Sequence, residues 1–148
     1  MRDLPSDFSL VGDGGIGEML GREVLSYDAA EKKVRMRFTL GEVFVNFQGV
    51  IHGGIIATVL DTLCGVAIRL SSDTEKFSGQ FTLELKTSFL TAAAPGVFIG
   101  EGQVKRLGKS IAFAQSDLFD SDNNHIATAS ATFKLRQRAN EDQTGRDR

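Results

Sequence analysis

The run His52-Gly53-Gly54-Ile55-Ile56-Ala57-Thr58-Val59-Leu60-Asp61-Thr62-Leu63-Cys64-Gly65-Val66-Ala67-Ile68-Arg69 leaves the rest of the chain few options. A polar loop beginning near Asn46 ends in His52-Gly53-Gly54 and opens directly into an almost wholly apolar stretch. Such a pattern reads as a helix whose first turn starts at the two glycines. Asp61 is the one charged residue between His52 and Arg69. A carboxylate in so apolar a segment must be paired, hydrogen-bonded or chemically used, because taking it out of water unpaired is costly.

Helical spacing decides which face carries that acid. Thr58, Asp61, Thr62, Gly65 and Arg69 follow the i, i+3, i+4, i+7, i+11 series and share one side. Ile55, Ile56, Val59, Leu60, Leu63, Val66, Ala67, Ile68 and Leu70 lie elsewhere and are expected to be buried. The prediction is a core helix with one narrow polar or small stripe, turned toward a site or another subunit. The run approaches the roughly 20 residues of a membrane span. Asp61, the two threonines and the glycine-rich start argue against that, so no membrane partner is expected.

With 148 residues the chain is expected to form a single domain over 1–148, with its core at about 16–138. A net charge of −2, without a basic patch, argues against nucleic acid as a partner. Cys64 is the only cysteine and cannot form an internal disulfide, which points to a reducing cytoplasm. Acids and a proline in residues 1–7 stand where an export signal needs an apolar run. His52 and His125 are the only histidines, too few for a metal centre, and none is expected.

In chain order, Asp3 to Gly15 reads as a loop or short helix and Ile16 to Ser26 as a first strand of imperfect alternation. Val34, Met36, Phe38 and Leu40 alternate with Arg35, Arg37 and Thr39 as a half-buried second strand, making a hairpin with the first. After the helix, to about Leu70, four more strands are expected: Phe81 to Phe89, Val97 to Arg106, Ser110 to Asp120 and Ile126 to Arg136. In the first of these, Phe81, Leu83, Leu85, Thr87 and Phe89 should share a face; in the last, Ala127, Ala129 and Ala131 should let the helix pack close. The polar tail, 139–148, is expected to be disordered. Two strands, a long helix and four strands in meander order describe an α+β domain with an antiparallel sheet wrapped around one helix.

Asn46, Gly49, His52-Gly53-Gly54 and Asp61, followed by a β-rich half containing Thr82 and Gly108-Lys109-Ser110, resemble the hotdog-fold acyl-CoA thioesterases of the phenylacetyl-CoA thioesterase (PaaI-like) type. The resemblance spans roughly Ile16 to Arg138, and the acid nine positions after the histidine with the asparagine six before it is its most specific part. It implies hydrolysis of an acyl- or aryl-CoA to free acid and CoA. Asp61 would act as general base or nucleophile, the Gly53 N–H would polarise the thioester carbonyl, Asn46 would position the water or the acid, and Thr82 would assist on the same side. His52 belongs to the same constellation with a structural part, fixing the loop by hydrogen bonding. Gly54 and, at the far turn, Arg106, Gly108, Lys109 and Ser110 would bind substrate, the turn reading the nucleotide and pantetheine arms of CoA. No cofactor is implied, since CoA is part of the substrate.

Spacing adds an argument of its own. Gly53 and Asp61 are eight residues apart on one helix, so their backbones are about 12 Å apart. A reacting carbonyl must sit about 3 Å from both donor and base. If both act on one thioester, they come from different chains packed with antiparallel helices about a two-fold axis. A homodimer with sites at the dimer interface follows, and the resemblance implies a homodimer or a homotetramer built as a dimer of dimers. Blander roles stay open: Asp61 could pair with Arg69, Asn46 could cap a turn, Cys64 could be core packing, and Phe44, Phe47, Phe77 and Phe81 could line an acyl pocket. The alternative function is a non-catalytic acyl-CoA or acyl-carrier-protein thioester-binding protein. A hydratase or dehydratase fits the motif less well.

Overall fold

The computed structural model describes residues 15–139; the expected loop before Gly15, and all of the expected disordered tail except Ala139, lie outside the described residues. Two helices, a 3-10 turn at Glu42–Phe44 and six strands follow in the order α1 (Gly15–Met19), β1 (Glu23–Asp28), β2 (Lys33–Leu40), α2 (Gly53–Ser71), β3 (Phe77–Phe89), β4 (Gly96–Leu107), β5 (Ile111–Asp120) and β6 (His125–Gln137). The strands form one antiparallel sheet in the order β1-β2-β4-β5-β6-β3. This is the α+β arrangement expected from the order of elements, with α2 packed on the sheet.

The four strands after the helix are not a simple meander: β3 crosses to the far edge to pair with β6, and β4 pairs with β2, because α2 carries the chain across the sheet between the two halves. The first expected strand differs too. The segment from Ile16 is not a strand from its start: Gly15–Met19 is helical, and the strand begins only at Glu23. Between them Gly21 takes φ +55°, a left-handed conformation that glycine adopts without a Cβ penalty, and its N–H bonds Glu18 O at 2.9 Å. The imperfect alternation of 16–26 is therefore a helical turn followed by a strand. Leu20 is the residue of this turn that is fully buried, while Ile16 and Met19 stay exposed.

The helix is seated as its periodicity requires. Ile56, Val59, Leu60, Leu63, Val66, Ala67 and Ile68 are buried, and the stripe of Thr58, Asp61, Thr62, Gly65 and Arg69 is half-buried to exposed. Its length and apolar composition would suit a membrane span, but its buried side chains are spent on the sheet. Close approach comes chiefly from β4, not from the alanines of β6. A methyl group at Gly102 would lie 2.2 Å from Leu63 O, and one at Gly100 2.4 Å from Leu63 Cδ1, so the two glycines admit the helix backbone itself. Ala127, Ala129 and Ala131 are buried beneath it as expected. Ser116 in β5 donates to Leu60 O at 3.0 Å, pinning the middle of the helix from below.

Strand β3 does not keep one inward face. Its pairing with β6 shifts register between Thr82 and Glu84, and a bulge of this kind reverses side-chain parity. Gln80 and Thr82 point to the helix before the bulge; Leu85 packs on the core after it. Phe81 and Leu83, expected inside, are 55% and 59% exposed on the other face.

Candidate active site

Asp61 projects from the middle of α2 toward β3, where Thr82 Oγ1 donates to its Oδ1 at 2.8 Å. The parity reversal at the bulge is what aims Thr82 at the helix. Two residues earlier on the strand, Gln80 Nε2 donates to Gly65 O at 2.6 Å, one helical turn beyond the acid. Together they tie β3 to the polar stripe at two successive turns. Asp61 forms no ion pair among the described residues, so the pairing with Arg69 weighed from sequence does not occur in the chain. Above the acid opens a cavity of about 270 Å³ lined by Asp61, Thr62, Gly65, Arg69, Gln80 and Thr82, with Arg22, Val66 and Phe133 completing it.

The N-terminus of α2 is organised by His52. Its Nδ1 accepts from Gly54 N at 2.9 Å, and its carbonyl accepts from Ile55 N at 2.9 Å and Ile56 N at 3.2 Å. Ile56 N thus makes the first helical bond, and of the four N–H groups that the helix start leaves without helical partners three are satisfied: Gly54 and Ile55 by His52, and His52 itself by Phe44 O at 2.9 Å. The fourth, on Gly53, has no hydrogen-bond partner among the described residues. It adjoins Phe89: a methyl group at Gly53 would lie 3.4 Å from Phe89 Cζ. An unpaired N–H at the positive end of a 19-residue helix is suited to a developing oxyanion.

Asn46 shapes the loop that delivers this terminus. Its Oδ1 accepts from Gln48 N at 2.9 Å, its N–H bonds Val50 O at 2.8 Å, and its carbonyl takes Gly49 N at 3.0 Å. Gly49 closes the turn with φ +77°. Within one chain Asn46 is thus a turn cap that holds the loop before His52.

The Arg106–Ser110 turn is not gathered to Asp61. Thr82 is opposite Phe133, Phe133 opposite Ala112, and Ala112 opposite Leu107, so three strand spacings, about 14 Å, separate the acid's partner from the turn. Gly108 serves the turn directly: its N–H bonds Ile111 O at 2.9 Å, and a methyl group there would meet that oxygen at 2.8 Å. Arg106 and Lys109 are exposed. The four phenylalanines considered for an acyl pocket do not converge. Phe44 is buried in the core, Phe47 is 97% exposed, Phe77 is half-buried and Phe81 faces outward. Burial pushes the Cys64 thiol up to about 11, with Ser116 hydrogen bonding opposing and the charge of Asp61 adding, so it is a core residue without nucleophilic character at neutral pH. Gln80, Phe133, Arg22 and Phe89 escaped the sequence reading. Gln80 alone had a signal, its two-residue spacing from Thr82.

A model of the thioesterase superfamily matches residues 48–127, which span α2 and strands β3, β4 and β5. The chain belongs to the thioesterase superfamily. It is 29% identical over 136 residues, 86% of this chain and 88% of the relative, to a protein of Halobacterium salinarum provisionally named an esterase. To the medium/long-chain acyl-CoA thioesterase YigI of Salmonella typhimurium it is 28% identical over 99 residues, 60% of this chain and 64% of that one. In three dimensions it matches the PaaI protein of the Escherichia coli phenylacetic acid degradation operon with a TM-score of 0.73, at 17% identity over 83% of this chain and 85% of that one. A Haemophilus influenzae thioesterase matches with a TM-score of 0.77, at 18% identity and 87% coverage of both chains. The fold is the hotdog fold, with the sheet wrapped on one long helix.

Proposed function

We propose that this superfamily member is an acyl-CoA thioesterase, in which Asp61 acts on the thioester carbonyl, directly or through a water, and the Gly53 N–H of a second subunit stabilises the oxyanion. The observation that carries the reading is Asp61 itself, a half-buried carboxylate that forms no ion pair among the described residues, held by Thr82 Oγ1 at 2.8 Å beneath an open cavity. A carboxylate kept only for stability would be expected to have found a counter-charge. This one is oriented and left available.

Donor and acid lie eight residues apart on α2, about 12 Å, so they serve one carbonyl only across a dimer. Strand β3 offers the contact. It is a 13-residue edge strand whose outer backbone groups have no partner strand among the described residues, with Phe81, Leu83, Phe89 and Leu90 exposed on and just after it. Exposed edges of this length are ordinarily paired or covered. Joining two β3 edges about a two-fold axis would set the two α2 helices side by side and antiparallel, bringing each Gly53 toward the other Asp61. A dimer of such dimers gives the tetramer. Asn46 would then hold the donor loop while Thr82 holds the acid, and Gly54 and the Arg106–Ser110 turn would meet the CoA arms from other parts of the assembly. The reaction consumes water and needs neither metal nor cofactor. We place it in the cytoplasm.

Asp61→Asn keeps volume and hydrogen bonding but removes the base or nucleophile. It should lower kcat by about a hundredfold or more with the fold retained. Release of free thiol from a panel of acyl-CoA thioesters measures this, and near-normal turnover in the variant overturns the mechanism. Binding without hydrolysis by the wild-type chain across the whole panel would favour the non-catalytic thioester-binding role.

A further inference from the structure

Arg69 occupies the same stripe of α2 as Asp61, two turns further on, and lines the same cavity. It makes no ion pair or hydrogen bond through its side chain among the described residues, although it shares the cavity with a carboxylate. Between the two lies Gly65, so the helix surface from acid to guanidinium carries no side chain at that turn. The place a side chain would take there is filled from the sheet by Gln80 and Phe133: a methyl group at Gly65 would lie 3.0 Å from Gln80 Nε2 and 3.6 Å from Phe133 Cε1. A second cavity of about 430 Å³ continues beyond, sharing Arg69 and Gln80 with the first, so Arg69 stands at their junction.

Asp61 and Arg69 thus line one cavity, an acid in one part and a guanidinium in another. The backbones of Asp61 and Arg69 are about 12 Å apart along the helix. A guanidinium matches a carboxylate through two parallel hydrogen bonds, a geometry no alkyl terminus can use.

We infer that the cavity shared by Asp61 and Arg69 selects acyl groups ending in a carboxylate, the monothioesters of short dicarboxylic acids, with Arg69 reading the distal carboxylate. The inference rests on the proposed placement of the thioester at Asp61 and deepens it to a substrate class. Arg69 is a specificity residue remote from the bond that breaks. Its contribution is to discrimination between acyl tails.

Calorimetric titration of the full-length Asp61→Asn chain with adipoyl-CoA and with hexanoyl-CoA, equal in carbon number and different in the end group, tests it. Adipoyl-CoA should bind at least tenfold more tightly. Adding Arg69→Gln should bring the ratio to within twofold of one, and Arg69→Lys, which keeps the charge but not the fork, should restore part of it. A ratio near one before the second substitution overturns the inference. So does a preference that survives Arg69→Gln. If Arg69 merely balances the charge around the site, both substrates weaken by the same factor and the ratio stays put, which also overturns it. Thiol release is followed separately with both substrates. Failure of the hydrolase reading appears there, as no hydrolysis by the wild-type chain or as turnover surviving Asp61→Asn; in the latter case the ratio of kcat/KM values reports the same discrimination.

Discussion

Asp61 and Thr82 are 21 positions apart in sequence and 2.8 Å apart in space. The hydroxyl does two things for the carboxylate: it removes rotational freedom from a short side chain, and it leaves the second oxygen open to the cavity. Thr82→Val keeps shape and β propensity while deleting the donor. It should lower kcat about tenfold, the equivalent of about 1.4 kcal/mol for one hydrogen bond to a charged group. Thr82→Ser should keep most of the activity. Since Thr82 is exposed in the chain, thermal unfolding should shift by less than about 0.5 kcal/mol in stability for either variant. Steady-state kinetics beside a melting curve separates the two effects, and a Val variant with wild-type kcat would reduce the contact to packing.

Among the elements, β3 and β4 do the most to build the site. The bulge in β3 turns Thr82 inward and throws Phe81 and Leu83 outward, so one irregularity both completes the acid's environment and makes the edge apolar. On β4 the absence of side chains at Gly100 and Gly102 sets the depth at which α2 rests. The two glycines should differ in their tolerance of alanine. At Gly102 the new methyl meets the carbonyl of Leu63, helix backbone that cannot rotate away; at Gly100 it meets the tip of the Leu63 side chain. Gly102→Ala should therefore cost about 3 kcal/mol or prevent folding, and Gly100→Ala less, as overpacking that a rotamer change partly relieves. Denaturant unfolding of the pair checks the ranking. Equal stabilities would mean that the helix seat is looser than the close approach implies.

For the whole molecule, activity should depend on assembly. Chains carrying Asp61→Asn keep an intact donor loop, and chains altered at Asn46 keep an intact acid. If Asn46 and Asp61 of one site come from different subunits, a hybrid dimer contains one site with both wild-type residues. Mixing the two inactive proteins under conditions of subunit exchange should then restore turnover, to about a quarter of the wild-type value for statistical mixing of dimers. Recovery is measured by thiol release and hybrid formation by mass. Hybrids that form without recovering activity would show that each chain carries its own complete site.

Much of this protein was legible in the order of its residues. The 3.6-residue rhythm of Gly53–Ser71 determined a buried helix with Asp61, Gly65 and Arg69 on its open stripe, because burial of one face is the only way such a run leaves water. The alternation of Val34, Met36, Phe38 and Leu40 determined a strand with four buried side chains, and His52-Gly53-Gly54 marked the helix start that His52 caps. Pairing decided the rest. Strict alternation puts Phe81 and Leu83 inside, but a bulge depends on the register adopted against β6, which no local pattern records. The helical turn at Gly15–Met19 escaped for a similar reason: its burial rests on Leu20 meeting a core supplied by distant strands. The roles of Gly100 and Gly102 likewise exist only once the helix lies on them. Period and polarity are properties of a segment; register, contact and the convergence of Asp61 with Thr82 are properties of two segments brought together, and only the folded chain brings them together.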